Sequence, residues 1–155
     1  MTTSPKTLLV PVDGSESANE AVALAAWMAG HLQLPMQLLF VFPRTPMAMF
    51  GLPGSGLSRE EVEYFKPGAF EKLRDEAANK AFKRAREAMG NAEAAIEERV
   101  LAGLPADAIV EHADKTDGAM IIMGRRGLSH VKELLLGSVS ERVLRHAHCP
   151  VMITH

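Results

Sequence analysis

The chain has a single cysteine, Cys149, so no disulfide can form within it, and the stapled framework of a small oxidised domain is excluded. It also has almost no net charge: 17 basic against 19 acidic side chains leave −2 at pH 7. Without a global basic field to hold a nucleic-acid backbone or an anionic membrane, any anion site must be built locally. Long hydrophobic runs are missing as well. The longest, Ala21 to Gly30, is alanine-rich and about half the ~20 residues of a bilayer-spanning helix. Near the amino end only Thr7 to Val12 separate Lys6 from Asp13, which is shorter than the apolar region of a secretory signal. The expectation is a cytoplasmic protein with no membrane insertion.

Several signatures of phosphate and metal chemistry are also absent. No G-x-x-x-x-G-K-[ST] occurs, which removes the Walker-type phosphate loop. Gly54-Ser55-Gly56 lacks the third glycine and follows no strand pattern, so a dinucleotide fingerprint is not supported. Asp13-Gly14-Ser15 resembles the start of an aspartyl-phosphate phosphatase, but Pro11 stands where the second carboxylate of such a pair would be needed. His146, His148 and Cys149 have no second Cys/His cluster to complete a zinc set. They read as helix-end histidines and a packed thiol, so no metal site is expected beyond magnesium carried by a phosphate ligand.

What is present is an ordinary globular balance, 47% hydrophobic and 23% charged over 155 residues, enough for one domain with one core. Leu8 to Val12 is a short apolar run feeding a turn at Asp13-Gly14-Ser15, with Pro11 a weakness in the strand reading. Ala21, Leu24, Ala25, Met28 and Leu32 follow at helical spacing, with Ser17 and Glu20 placed as a capping box. Met36 to Phe42, between Pro35 and Pro43, is a second strand. Residues 43–68 carry turn chemistry rather than a regular element, apart from a helical turn around Glu60 to Tyr64, and a loop of that length is expected to be functional or mobile and to cover a site.

Phe70, Leu73, Ala77, Ala81 and Ala85 mark a helix over Ala69 to Met89, and Ile96 to Leu101 a weak, acid-rich strand suited to a sheet edge. A helix from Pro105 through Ala113 and a buried strand, Ala119 to Met123, come next. An amphipathic segment runs through Leu136, and Ser138 with Glu141 predicts a capping box for a helix to about Ala147. Pro150 to Ile153 closes as the fifth strand. The alternation predicts an α/β fold: a single domain with a doubly wound, open, parallel five-stranded sheet in the order 3-2-1-4-5 and helices on both faces.

In such sheets ligands bind beyond the carboxyl ends of the strands where the strand order reverses, here between the first and fourth strands. Asp13 and Gly124 end those two strands. Gly124 and Gly127 allow backbone N–H groups to approach a phosphate, Gly137-Ser138 opens a helix, and Arg125 and Arg126 add charge. Each feature also has a structural reading: the first two glycines as a tight turn, Gly137 as the left-handed end of a preceding helical segment, Ser138 and Asp13 as helix caps.

Gly124-x2-Gly127-x9-Gly137-Ser138, the opening Leu9-Val10-Pro11-Val12-Asp13-Gly14-Ser15, the run from Leu134 to Val143 and the ending His146 to Val151 together resemble the ATP-binding branch of the universal stress protein family. The resemblance spans essentially the whole chain. It implies that ATP, with magnesium, is the ligand. Asp13, beside Pro11, Val12 and Ser15, would meet the ribose or adenine side, and Val41 would pack on the base. Met123, Gly124, Arg126 and Gly127 would meet Gly137, Ser138, Val139 and Ser140 around ribose and phosphates. Arg125 departs from the small or polar residue usual in the family.

The resemblance implies a stress-response regulator whose nucleotide occupancy sets its conformation or its surface for an unspecified protein partner. No residue stands out as a general base, so hydrolysis is expected to be slow at most. A slow ATPase or other ATP-using enzyme, with Asp13 or the long loop as base, is the alternative, and a pure interaction module without nucleotide affinity is a third. The resemblance also puts Val151, Met152 and Ile153 at a sheet edge. That edge carries no protective charge, so a homodimer through this strand is expected.

Overall fold

Hydrophobic strands alternating with amphipathic helices fold into a single parallel sheet in the order β3-β2-β1-β4-β5. The strands are β1 (Thr7–Pro11), β2 (Met36–Phe42), β3 (Ile96–Ala102), β4 (Ala119–Gly124) and β5 (Val151–Thr154). In this computed structural model residues 4–128 and 135–155 are described. On one face lie α1 (Glu16–Leu32) and α4 (Ala69–Met89), on the other α5 (Pro105–Asp114) and α6 (Ser138–His146). The period-2 alternation of the strands divides their side chains: Leu8, Val10, Leu38, Phe40 and Ile122 pack beneath α1 and α4, while Leu9, Leu39, Ile121 and Met123 pack beneath α5 and α6. The predicted fold class and strand order are those observed.

Pro11 costs the sheet nothing. Leu8 and Val12 donate their backbone N–H groups to Pro35 and Leu39 on the β2 side, so Pro11 at an odd position would address β4. The β1–β4 register runs only from Thr7↔Ala119 to Leu9↔Ile121 and has already ended there.

The start of α1 differs from the predicted capping box. Ser15, not Ser17, is the N-cap, and its hydroxyl accepts from the Ala18 N–H at 3.2 Å. The stripe is also shifted: Ala18, Ala21, Val22, Ala25, Ala26 and Ala29 are buried, whereas Leu24 and Leu32 are exposed. α1 packs both on the sheet and against its neighbour α4, and alanines allow that close approach where leucines would not.

Within residues 43–68 two short helices form, α2 (Pro46–Phe50) and α3 (Arg59–Glu63). The first overturns the reading of that stretch as turns alone. Thr45 accepts from the Ala48 N–H at 3.1 Å, and Pro46 occupies the first turn, where its missing N–H is harmless. α3 has a complete Ser58–Glu61 capping box. Phe50 stacks on Tyr64 with ring centroids 5.4 Å apart, and both pack on the α1/α4 core.

At α6 the expected capping box is absent. Gly137 is the N-cap in an extended conformation, φ −71° and ψ 160°, not a left-handed helix end. Ser138 is the first helical residue, and Glu141 instead pairs with Arg145 one turn on, at 2.8 Å. The amphipathic segment leading to Leu136 lies largely at residues 129–134, outside the described residues. β5 sits at the sheet edge as predicted, paired to β4 from Ile121↔Val151 to Gly124↔Thr154. No helix among the described residues is long and apolar enough to cross a membrane.

Two titratable groups help to join elements of the α5/α6 face. His112 Nε2 lies 2.7 Å from Gln37 Oε1, linking α5 to β2, and burial holds its pKa below the usual histidine value. Burial raises the pKa of the Cys149 thiol, which packs beside that core.

Candidate functional site

β1 and β4 are neighbours whose following chains leave the sheet on different courses, so a crevice opens beyond their carboxyl ends. Its volume is about 140 Å³. Leu39, Val41, Ile109, Met123 and Val139 supply an apolar lining, and Asp13, Arg126 and Ser140 supply polar groups. Pro11, Val12, Gly124 and Gly127 complete the set of predicted site residues that line it. Ser15, Gly137 and Ser138 do not.

The geometry gives several predicted residues a defined part. Asp13 accepts from the Ser15 N–H at 2.9 Å through Oδ1, the local turn an aspartate makes with the amide two residues on. Its Oδ2 is directed toward Gly127: a Cβ built there would lie 2.8 Å away. A carboxylate only accepts hydrogen bonds, so it suits hydroxyl or amino donors and repels phosphate oxygens.

Gly124 meets a different demand. A Cβ on it would come within 2.4 Å of Ser17 Oγ and 2.6 Å of the Ser17 backbone, so the first turn of α1 is pressed onto the end of β4. Ser17, predicted as a capping residue, has its hydroxyl 3.3 Å from the Arg126 N–H that donates to it. The turn after β4 is thereby tied to α1.

Gly137 joins the second turn to the first. Its N–H donates to the Arg125 carbonyl at 2.8 Å, and a Cβ there would be 3.4 Å from Arg126 Cα. Ser140 is almost fully buried and donates its hydroxyl to the Gly124 carbonyl at 2.9 Å. This bond fixes α6 to the strand end, a structural part that the sequence reading did not foresee.

Four lining residues escaped the sequence reading: Ala18, Leu39, Pro105 and Ile109. Two signals pointed to three of them. Leu39 shares the strand face of Val41 through the two-residue period, and Pro105 and Ile109 share a helix face at i, i+4. No residue of 43–68 lines the crevice, so the long loop does not cover it as expected. Among the described residues no three His, Cys, Asp or Glu side chains gather as a metal site.

Comparison with known proteins follows the same line. The family model described as "Universal stress protein family" matches residues 5–155. Universal stress protein MJ0531 of Methanocaldococcus jannaschii is 34% identical over 148 residues, covering 96% of this chain and 81% of that protein. Among solved structures, protein MJ0577 of the same organism superposes with a TM-score of 0.75 at 28% identity, covering 98% of this chain and 96% of that one. A universal stress protein solved in complex with cAMP gives a TM-score of 0.65 at 26% identity, covering 99% and 98%.

Proposed function

The chain belongs to the universal stress protein family, and from that premise we propose that it binds ATP or a close adenine nucleotide in the β1–β4 crevice as a regulatory ligand. The observation that carries this reading is the pairing of an apolar slot with a turn whose glycine leaves room beside Asp13. The base lies between Val41, Ile109 and Met123, the ribose hydroxyls donate to Asp13, and the phosphates follow the backbone from Arg126 to Gly127. Magnesium accompanies the phosphates as their counter-ion. The cAMP complex of a similar protein supports an adenine nucleotide as the ligand class.

The direct test is thermal unfolding with and without ATP and magnesium. Ligand at 100 times its dissociation constant adds about 2.7 kcal/mol, which for a chain of this length raises the midpoint by about 5–11 °C. No shift at millimolar ATP rejects the nucleotide reading. Product analysis after long incubation separates a regulator from a slow ATPase: the regulator returns its ATP intact.

We further propose that the protein acts as a homodimer through β5. That strand is at the sheet edge, and Val151, Met152 and Ile153 are only partly buried within the single chain. An unpaired apolar edge is closed by a two-fold copy of itself. Met152→Lys is expected to move the protein toward monomer in analytical ultracentrifugation at tens of micromolar while nucleotide binding persists. A monomeric parent chain, or an undisturbed dimer in the variant, refutes this interface.

A further inference from the structure

The turn that carries Asp13 is gripped by a side chain from a distant helix. Arg84 of α4 donates from Nη1 to the Gly14 carbonyl at 2.6 Å, across 70 residues of sequence. The nitrogen of that same peptide unit belongs to Ser15, whose N–H donates to Asp13 Oδ1 at 2.9 Å. The Gly14–Ser15 peptide is trans, so its C=O and N–H point in opposite directions within one rigid plane. A single peptide plane is therefore held at both ends, by a guanidinium on its oxygen and by the Asp13 carboxylate on its nitrogen.

That plane needs to be held. Gly14 has φ +82°, in the left-handed region that glycine enters and leaves easily, so its own backbone resists rotation of the following peptide only weakly. A rotated plane would carry the Ser15 N–H away from Oδ1 and release the carboxylate to turn. Arg84 opposes the rotation, and its charge polarises the peptide so that the N–H becomes a stronger donor to Asp13. The contact is selective. Glu16 and Glu20 line the same cleft as Arg84, yet among the described residues Arg84 forms no ion pair with a carboxylate. With Oδ1 committed to the turn, Oδ2 is the oxygen directed toward Gly127.

We propose that Arg84 is a positioning residue for the ribose end of the crevice: by locking the Gly14–Ser15 peptide it commits Asp13 Oδ1 to the turn and leaves Oδ2 to accept from ribose hydroxyls. This rests on the adenine-nucleotide reading and deepens it, because a helix side chain that does not line the crevice becomes a determinant of ribose recognition. An accepting oxygen fixed in place disfavours a nucleotide without a hydroxyl to offer, whereas a carboxylate free to turn finds other donors and loses that selectivity.

The test compares ATP with 2′,3′-dideoxyATP by isothermal titration in the parent protein and in the Arg84→Met and Arg84→Lys variants. Arg84 is on an exposed face of α4, and Met and Lys are good helix formers, so the fold is retained. The parent is expected to bind ATP about 10-fold more tightly than the dideoxy analogue. Arg84→Met should lower that ratio to about 2-fold with affinity for the analogue unchanged, and Arg84→Lys, which keeps a charged donor, should restore most of it. Exchange of the Ser15 amide, followed by NMR without any ligand, should quicken about 10-fold in Arg84→Met. A parent that binds neither nucleotide rejects the adenine-nucleotide reading, and the Ser15 amide then decides the lock by itself. A parent that binds both nucleotides equally overturns the inference and leaves that reading standing. So does an unchanged ratio in Arg84→Met, an equal loss of affinity for the two nucleotides, or Ser15 exchange at the parent's rate.

Discussion

Gly124→Ala lowers the midpoint of thermal unfolding by about 6–12 °C, the consequence of a loss of about 3 kcal/mol in a chain of this length. The reason is a contact with backbone. The new methyl group would sit 2.6 Å from the Ser17 carbonyl carbon and oxygen, and a helix backbone cannot step aside as a flexible side chain can. Either the first turn of α1 lifts from β4 or the end of β4 bends. Both loosen the Ser17–Arg126 and Ser140–Gly124 bonds that hold the crevice. Differential scanning calorimetry checks this, and a midpoint within about 2 °C of the parent shows that the approach is looser than described.

Gly127→Val is expected to separate binding from folding. The valine would collide with Asp13 Oδ2 and fill the space next to the proposed ligand, costing about 2–3 kcal/mol of affinity, or about 30–150-fold in Kd for ATP. Stability should change little, because Gly127 is not among the positive-φ residues and the close neighbour of a Cβ there, among the described residues, is the end of a side chain rather than backbone. Titration of ATP with circular dichroism as a folding control gives the answer. Unchanged affinity in a folded variant favours the glycine as a turn residue alone.

These two glycines look alike in the sequence and differ in the structure. A G-x-x-G pattern announces that a side chain is excluded at both positions, not by what. At Gly124 the excluding group is the first turn of α1, and at Gly127 it is the carboxylate of Asp13.

Most element bounds were legible because they rest on local periodicity, β2 and α4 being read to their observed ends, while the strand order came from the order common to five-stranded sheets of alternating strands and helices. The caps were less legible. Ser15 and Ser17 are both suitable N-caps, and only the docking of α1 against β4 decides that Ser15 caps while Ser17 holds the turn. The alanine stripe of α1 was misplaced for a related reason. Hydrophobicity ranks Leu24 above Ala18, whereas close packing against the sheet and α4 selects the smaller side chain. The apolar half of the crevice was partly hidden because Pro105 and Ile109 come from a helix remote in sequence from the glycine motif.

The central place of β1 also bears on how the chain is made. One edge of Thr7–Pro11 pairs with β2, the next strand to be made, but on the other edge Thr7 waits for Ala119. Until that late strand leaves the ribosome, the nascent sheet ends in an open apolar border, the kind of intermediate that invites aggregation and chaperone capture. The crevice, whose two rims come from those same strands, cannot exist before that moment. A ligand for it therefore meets a chain already made through β4 and plays no part in guiding the segments before it.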